Sequence, residues 1–344
     1  VCRMERARLN PYWISASLVF RMTSARVARS KPDAAAKNEK KDKLEKVFKI
    51  FNVIYRILLV FWDCIVAVVH NFAPLGFFSY KNIAGKTVLI TGGANGLGRL
   101  IAERLADKGA KLVLWDRDEK GLWDTKDALE KRGVTVFIRT VDMLNRQEIA
   151  DAAAEARKEA GFIDILINNA GIGIGGRVVD VSEDAIRKTI ELNTLSHFWM
   201  AKEFLPAMLS KNEGHIVSIA SLGGLFASDQ NMVPYNASKF GAVAIMEGLE
   251  NETVCMGNDG VRFTTVCPSH FQTPLYDSLK TNPDKKVMTV DEVVDWTVDG
   301  ILREMRMVIV PRGKYILYAL KGILPRKLLL AATTREAVSK LNKQ

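Results

Sequence analysis

The order of apolar runs and amphipathic segments predicts an α/β fold: a doubly wound parallel sheet forming a single domain, preceded by an N-terminal membrane-associating helix. Two observations carry the sheet. Short apolar runs alternate with helix-period segments from residue 81 to about 312, and the first two runs are joined through a glycine cluster. A third carries the helix: residues 47–71 are mostly apolar and lie ahead of the alternation.

The leader comes first. With 344 residues the chain is long enough to bury a sizeable core, and 26% charged with 48% hydrophobic residues excludes wholesale disorder. The net charge of +10 is uneven: residues 1–46 hold twelve Lys and Arg against five Asp and Glu, which leaves only +3 for the other 298 residues. A nearly neutral folded part argues against nucleic acid as a partner, whereas a basic leader beside an apolar segment suits an anionic membrane surface. Residues 1–46 are read as a disordered basic leader. Their arginines also fit a mitochondrial-type presequence, and Met22 is a candidate start. Cys2, Cys64, Cys255 and Cys267 show no paired spacing, so neither a disulfide framework nor a metal site is expected, which fits a reducing compartment.

Residues 47–80 form the next element. In VFKIFNVIYRILLVFWDCIVAVVHN, residues 47–71, the polar residues Lys49, Asn52, Arg56, Asp63 and His70 fall within an arc of about 60° on a helical projection. The apolar run is broken at Asp63, short of the roughly 20 residues that a bilayer span needs. The segment is read as a helix lying in the membrane interface, its stripe toward water. A spanning helix whose stripe meets a partner is the alternative. A core helix is a third reading, which its place outside the alternation weakens.

At KTVLITGGANGLGRLIAERLADKGAKLVLWDRD, residues 86–118, the run Val88–Ile90 meets a glycine cluster, then Leu97, Leu100, Ile101 and Leu105 at helical spacing, then Leu112–Trp115 closed by Asp116. That is a βαβ unit of the Rossmann kind. Gly92, Gly96 and Gly98 let the backbone turn sharply and approach a pyrophosphate at the helix N-terminus, where unpaired N–H groups and the dipole favour an anion. A carboxylate at the tip of the second strand accepts hydrogen bonds from ribose hydroxyls and repels a 2′-phosphate. Asp116 thus favours NAD, while Arg117 beside it keeps NADP open.

Strand signals follow at 134–141, 163–168, 214–220, 261–267 and 307–310, and helix signals at 146–160, 183–210, 235–256 and 290–304. No linker or repeat divides them, so 81–312 reads as one NAD(P)-binding domain. The tail, 313–344, begins with the basic-apolar stretch KYILYALKGILPRKLLLAA, residues 314–332, which suits a membrane surface, a dimer contact or the core.

YNASK, residues 235–239, sets Tyr235 and Lys239 one helical turn apart on one face. Alone, the pair suits any helix surface. Beside a nucleotide, the ammonium would favour ionisation of the phenol and make it a usable proton donor and acceptor.

In order, TGGANGLG (91–98), VDM (141–143), NNAG (168–171), LNT (192–194), IAS (219–221) and YNASK resemble the short-chain dehydrogenase/reductase superfamily across residues 81–312. The N-terminal apolar segment, LVLWD and the tail past Pro311 are similar to its membrane- and lipid-droplet-associated 16C group. The resemblance implies hydride transfer with Tyr235 as general acid/base, Lys239 lowering its pKa and holding the nicotinamide ribose, Ser221 polarising the substrate oxygen, and Asn193 helping to hold a relay water. It implies cofactor contacts from Gly92, Asn95, Gly96, Leu97, Gly98, Asp116, Asp142, Asn169, Tyr235, Lys239 and Thr273. Asn168 and Asn169 would brace the sheet near the adenosine ribose, and Gly171 would keep the backbone close. Ser269 stands where the family usually has glycine, a strain if that position needs positive φ. The loop of 13 residues between Ser221 and Tyr235 is one longer than is common there.

The resemblance also implies a pocket lined by Leu222, Leu225, Phe226 and Met232 after the fifth strand and by Phe271, Leu275 and Tyr276 after the sixth. With the membrane segment, this implies a hydrophobic alcohol or carbonyl such as a retinoid, steroid or long-chain lipid. A homodimer through helices 183–210 and 235–256 is implied, on the endoplasmic reticulum membrane or lipid droplets with the domain cytosolic. Taken singly, these serines, asparagines and apolar residues suit plain packing. Two non-enzymatic readings stand beside the enzyme: a nucleotide-binding sensor, which an intact Tyr235 and Lys239 argue against, and a lipid-droplet scaffold that binds nucleotide without turnover.

Overall fold

A computed structural model describes residues 34–227, 231–271, 288–325 and 327–329, with side chains from residue 43 onward. The chain forms two compact units, Val1–Ala67 and Val68–Gln344. Helix α1 (Ala34–Phe72) accounts for the described part of the first. The expected disorder up to residue 46 is therefore corrected from Ala34 onward. AAAKNEKKDKLEK, residues 34–46, is rich in strong helix formers and continues the apolar helix toward its N-terminus. From Lys43 to Phe72 the helix has 30 residues and is, by length and composition, apolar enough to cross a membrane, so the break at Asp63 does not make it too short.

The second unit is a seven-stranded sheet in the order β3-β2-β1-β4-β5-β6-β7, with every neighbouring pair parallel. The strands are β1 (Thr87–Thr91), β2 (Lys111–Asp116), β3 (Val136–Thr140), β4 (Ile165–Asn168), β5 (Gly214–Ile219), β6 (Val261–Pro268) and β7 (Met307–Val310). Between them run α2 (Gly96–Ala106), α3 (Glu119–Glu130), α4 (Arg146–Glu159), α5 (Glu183–Ile190), α6 (Ser196–Lys211), α7 (Val233–Cys255) and α8 (Val290–Leu302), and α9 (Lys314–Leu320) follows β7. All seven strands fall where the apolar runs predict them. Helix α3 was not among the predicted segments, and the single helix expected over 183–210 is α5 and α6 joined by one π-helical turn, Glu191–Leu195.

A parallel sheet covered on both faces needs strands that are apolar on both sides. β1 shows it: Val88 and Ile90 enter one core with Ile101, Leu105 and Val298, while Leu89 enters the other with Ile149, Met200 and Met246. The strand order reverses between β1 and β4, which opens a crevice at their C-terminal ends.

Candidate active site

The glycine turn lies at that crevice. After Thr91 the chain turns so that the Gly92 and Gly93 N–H groups donate to Trp115 O, at 2.7 and 3.1 Å, which ties the end of β1 to β2. Gly92 takes φ +71°, and a Cβ on Gly98 would stand 2.0 Å from Gly92 O and 2.5 Å from Asn169 Nδ2. Only glycine permits that approach. It brings the start of α2 against the turn, where the first N–H groups of a helix lack intrahelical partners. Gly96, at the first position of α2, has open space where a side chain would begin.

Asp116, at the C-terminal end of β2, accepts from Ala94 N through Oδ2 and from Asp118 N through Oδ1, both at 3.1 Å. Each oxygen keeps a second lone pair for a ribose hydroxyl. Asp142 stands exposed just after β3, and Val141 N donates to Asp116 O at 2.9 Å, so the two carboxylates belong to neighbouring strand ends. The cradle, the helix N-terminus and the strand-end acid together fit a dinucleotide. Asn95 faces the β2–α3 turn, where its amide donates to Asp118 Oδ2 at 2.7 Å, and Leu97 is buried in the core, so only its main chain faces the turn. Asn169 donates to Thr91 O at 2.9 Å and to Gly92 O at 3.1 Å, bracing the glycine turn itself. Asn168 is buried with Oδ1 unpartnered.

The second half of the site hangs on α7, which has Pro234 in its first turn and presents Tyr235 and Lys239 from one face. Lys239 is buried; Nζ donates to Ile219 O at 2.9 Å and lies 5.8 Å from the centre of the Tyr235 ring. Burial pulls the pKa of this ammonium down to about 8. Asn193 sits inside the π-helical turn and is fully buried. Its Oδ1 accepts from Ile172 N at 2.9 Å, and its Nδ2 donates to Ile172 O at 2.8 Å and to Ser238 Oγ at 3.0 Å. Ser238 Oγ in turn donates to Tyr235 O at 2.7 Å, and Thr194 Oγ1 donates to Ser238 O at 2.9 Å. Ser221 follows β5 in an extended conformation, and its Oγ accepts from Gly223 N at 3.0 Å.

Two glycines mark how close these groups are. A Cβ on Gly171 would stand 3.0 Å from Asn193 Oδ1 and 3.5 Å from Lys239 Nζ, and Gly171 lies two residues beyond the Asn169 that braces the glycine turn. A Cβ on Gly223 would stand 3.4 Å from Ser221 Oγ and 3.5 Å from Tyr235 Cε1. Ser221, Tyr235, Lys239 and Asn193 thus gather beside the nucleotide cradle.

Two expectations change. Leu225 and Phe226 are core residues, packed with Cys267, Ile309 and Tyr318, because α9 covers the turn that carries them. Ser269 does not strain its loop: among the described non-glycine residues only Asn212, Asn231 and Glu304 have positive φ, and Ser269 N donates to Val310 O at 2.7 Å. Thr273, Leu275 and Tyr276 lie outside the described residues. Sequence reasoning passed over Ser238, Thr194 and Thr91, whose Oγ1 accepts from Asn169 N and Ala170 N at 3.0 Å. Each lies inside a quoted motif, but a hydroxyl whose partners lie far along the chain leaves no pattern of its own.

Comparison with known proteins gives the family. Residues 86–284 match the family described as short chain dehydrogenase. The chain is 35% identical over 283 residues to human 17-beta-hydroxysteroid dehydrogenase 13, covering 80% of this chain and 92% of that one. It is 38% identical over 250 residues to mouse epidermal retinol dehydrogenase 2, covering 72% and 81%. A short chain dehydrogenase/reductase from Burkholderia phymatum, solved in complex with NAD, superposes with a TM-score of 0.64 at 28% identity, over 70% of this chain and 94% of that one. With its family matched across most of the sheet and its cradle formed by residues of the matched segment, the chain belongs to the short-chain dehydrogenase family.

Proposed function

We propose that the protein is a membrane-associated oxidoreductase that moves a hydride between a nicotinamide cofactor and a hydrophobic alcohol or carbonyl of the retinoid, steroid or long-chain lipid class. The observation that carries this reading is the buried ammonium of Lys239 beside the Tyr235 ring, next to the glycine cradle. The nicotinamide, when bound, takes a hydride from an alcohol carbon or returns one to a carbonyl carbon. The main-chain N–H groups at the start of α2, at Gly96 and Gly98, would hold the pyrophosphate, Gly92 shapes the turn that lets it approach, and Asp116 would hold the ribose hydroxyls. In oxidation, the substrate O–H bond breaks as its proton passes to the Tyr235 oxygen. The carbinol C–H bond breaks with its electron pair leaving on the hydrogen, and C=O forms. Lys239 favours the tyrosinate that accepts the proton, and the Ser221 hydroxyl steadies the substrate oxygen. Both Nδ2 hydrogens of Asn193 are committed, to Ile172 O and Ser238 Oγ, so a relay water at this residue would meet a carbonyl oxygen rather than an amide donor.

The substrate class rests on the relatives named for 17-beta-hydroxysteroids and retinol, and on α1, whose apolar side chains from Leu44 to Phe72 are largely exposed. We read α1 as the anchor to endoplasmic reticulum membrane or lipid droplets, with the domain in the cytosol. A homodimer through α6 and α7 is favoured by Phe198, Val233 and Phe240, apolar and exposed on those helices.

The test is turnover by purified protein of retinols, steroids and fatty alcohols with NAD and with NADP, alongside Tyr235→Phe. Turnover of at least one class by the parent and none by the variant supports the reading. A variant working at the parent rate overturns it. Removing residues 1–67 should remove the α1 anchor, weakening membrane targeting, and leave turnover in detergent. The cut belongs there because His70 and Ala73 are bonded to Arg303 and Arg312, and Tyr80 to Asp299.

A further inference from the structure

We infer that the dehydrogenase unit carries a lipid-contact face of its own, the outer side of α9 with the segment around Phe72–Phe77, and that an anionic lipid surface covers it. This rests on the membrane reading above and assigns a second contact, made by residues outside the first compact unit.

Helix α9 has two faces. Tyr315, Leu317 and Tyr318 pack inward on Leu225, Phe226, Cys267 and Ile309, and the Tyr315 hydroxyl both donates to Met307 O at 2.6 Å and accepts from Ile309 N at 3.1 Å. Those bonds fix the helix on the end of the sheet, so its outer face is a built surface. That face holds Ile316 (58% exposed) and Leu320 (40%), four residues apart on one side of the helix, with Ile323 (79%) in the turn that follows and Leu328 (56%) beyond. The Phe72 ring lies 5.9 Å from the Tyr315 ring, and Arg312 donates to Ala73 O, so the Phe72–Phe77 segment sits at the start of α9. Phe72 and Phe77 are themselves 42% and 65% exposed. Exposed apolar side chains clustered in this way mark a contact.

Charge selects the occupant. From Arg312 to Lys327, along and just past α9, the chain has five cations, Arg312, Lys314, Lys321, Arg326 and Lys327, and no Asp or Glu, with Arg312 already paired to Asp299. A second copy of the chain would bring the same cations to the contact. A bilayer with anionic headgroups offers acyl chains to the exposed apolar side chains and negative charge to their flanks. The face also backs onto the turn that follows Ser221, since Lys321 Nζ donates to Leu225 O at 2.6 Å, so a substrate dissolved in the bilayer would lie one layer from the site.

The experiment is hydrogen exchange by mass spectrometry on the full-length protein in detergent, on neutral phosphatidylcholine vesicles and on vesicles containing phosphatidylserine. Expected on anionic vesicles is exchange about tenfold slower in the 314–325 amides than in detergent. Neutral vesicles or high salt should weaken the effect, and Lys327→Gln should weaken it about fivefold. Ile316→Glu with Ile323→Glu, both surface changes, should erase it while leaving turnover of a water-soluble alcohol intact. Protection of 43–72 without protection of 314–325 overturns this inference and leaves the anchor reading standing. Protection of neither overturns both. Equal protection in detergent that rises with protein concentration assigns the face to a second copy and overturns the lipid assignment.

Discussion

The two halves of the site are built by different means. From Thr91 to Asp118 the nucleotide cradle is shaped by main chain: glycine carbonyls, helix N–H groups and a carboxylate held by two backbone donors. Around β5 and α7 the acid–base half is shaped by side chains, with a buried ammonium, an amide with its hydrogens committed, and hydroxyls that donate to main-chain carbonyls of α7. Main-chain shape fails when an atom is added, because nothing nearby can move aside. A side-chain network fails when a polar atom is removed, because its partners stay buried without compensation. The cradle should therefore break through sterics and affinity, and the acid–base half through rate and charge.

The largest effect should come from the acid–base half. Tyr235→Phe removes one oxygen and adds none, so turnover should fall roughly 10²–10⁴-fold while the dissociation constant for NAD stays within a few-fold. Stopped-flow rates beside calorimetric binding measure both. An equal loss of affinity would erase the distinction between the halves. Lys239→Met should also stop turnover, yet it should stabilise the cofactor-free protein. The folded pKa of Lys239, about 8, lies below the unfolded value of about 10.4, so the unfolded chain holds the extra proton between those limits and stability rises with pH across that window. At pH 7 the buried charge costs roughly 3 kcal/mol. Urea unfolding should find the variant more stable at pH 7, with the gap closing toward pH 10. A less stable variant at pH 7 would show that the ammonium is well compensated where it sits.

In the cradle the sign reverses. Gly98→Ala adds one carbon 2.0 Å from Gly92 O, where only backbone could give way. Overpacking of this kind costs about 1–3 kcal/mol. Part of it should appear as a lower melting temperature and part as a tenfold or greater loss of NAD affinity. The rate at saturating cofactor should change least. A variant that binds NAD normally but turns over slowly would place Gly98 in the wrong half.

This contrast also explains what could be read in advance. The cradle was legible because its requirements are compositional: Gly92, Gly96 and Gly98 between strand and helix, then Asp116, leave a spaced trace in the sequence. The strands were legible because burial on both faces demands continuous apolar runs, as in Val88–Ile90. The acid–base half was legible only through the resemblance, since a Tyr and a Lys one turn apart are common. Ser238 and the π-helical turn were invisible because they answer to partners far along the chain: Asn193 and Ser238 are 45 residues apart. Leu225 and Phe226 were assigned to the pocket because their burial depends on α9, about 90 residues later, folding back over them. Helix α3 escaped because EKGLWDTKDALE is mostly polar and buries few side chains.

The smallest effect should be Asp116→Asn, and it tests whether one side chain in the cradle carries information that the main chain does not. The amide keeps the shape and one acceptor oxygen, so the hydrogen bond from Ala94 N can persist while the charge is lost. Hydrogen bonds to a charged acceptor exceed those to a neutral one by about 1 kcal/mol, which lowers kcat/KM with NAD several-fold. Removing the repulsion of a 2′-phosphate raises kcat/KM with NADP by a similar factor, and the NAD to NADP ratio should narrow about tenfold. It should not invert, because Arg117 is exposed, and a guanidinium in water gains only about 1 kcal/mol from a phosphate. Inversion would mean that Arg117 folds over the ribose when the cofactor binds. In that case Arg117→Gln in the Asp116→Asn background should remove the NADP preference and leave the NAD rate alone.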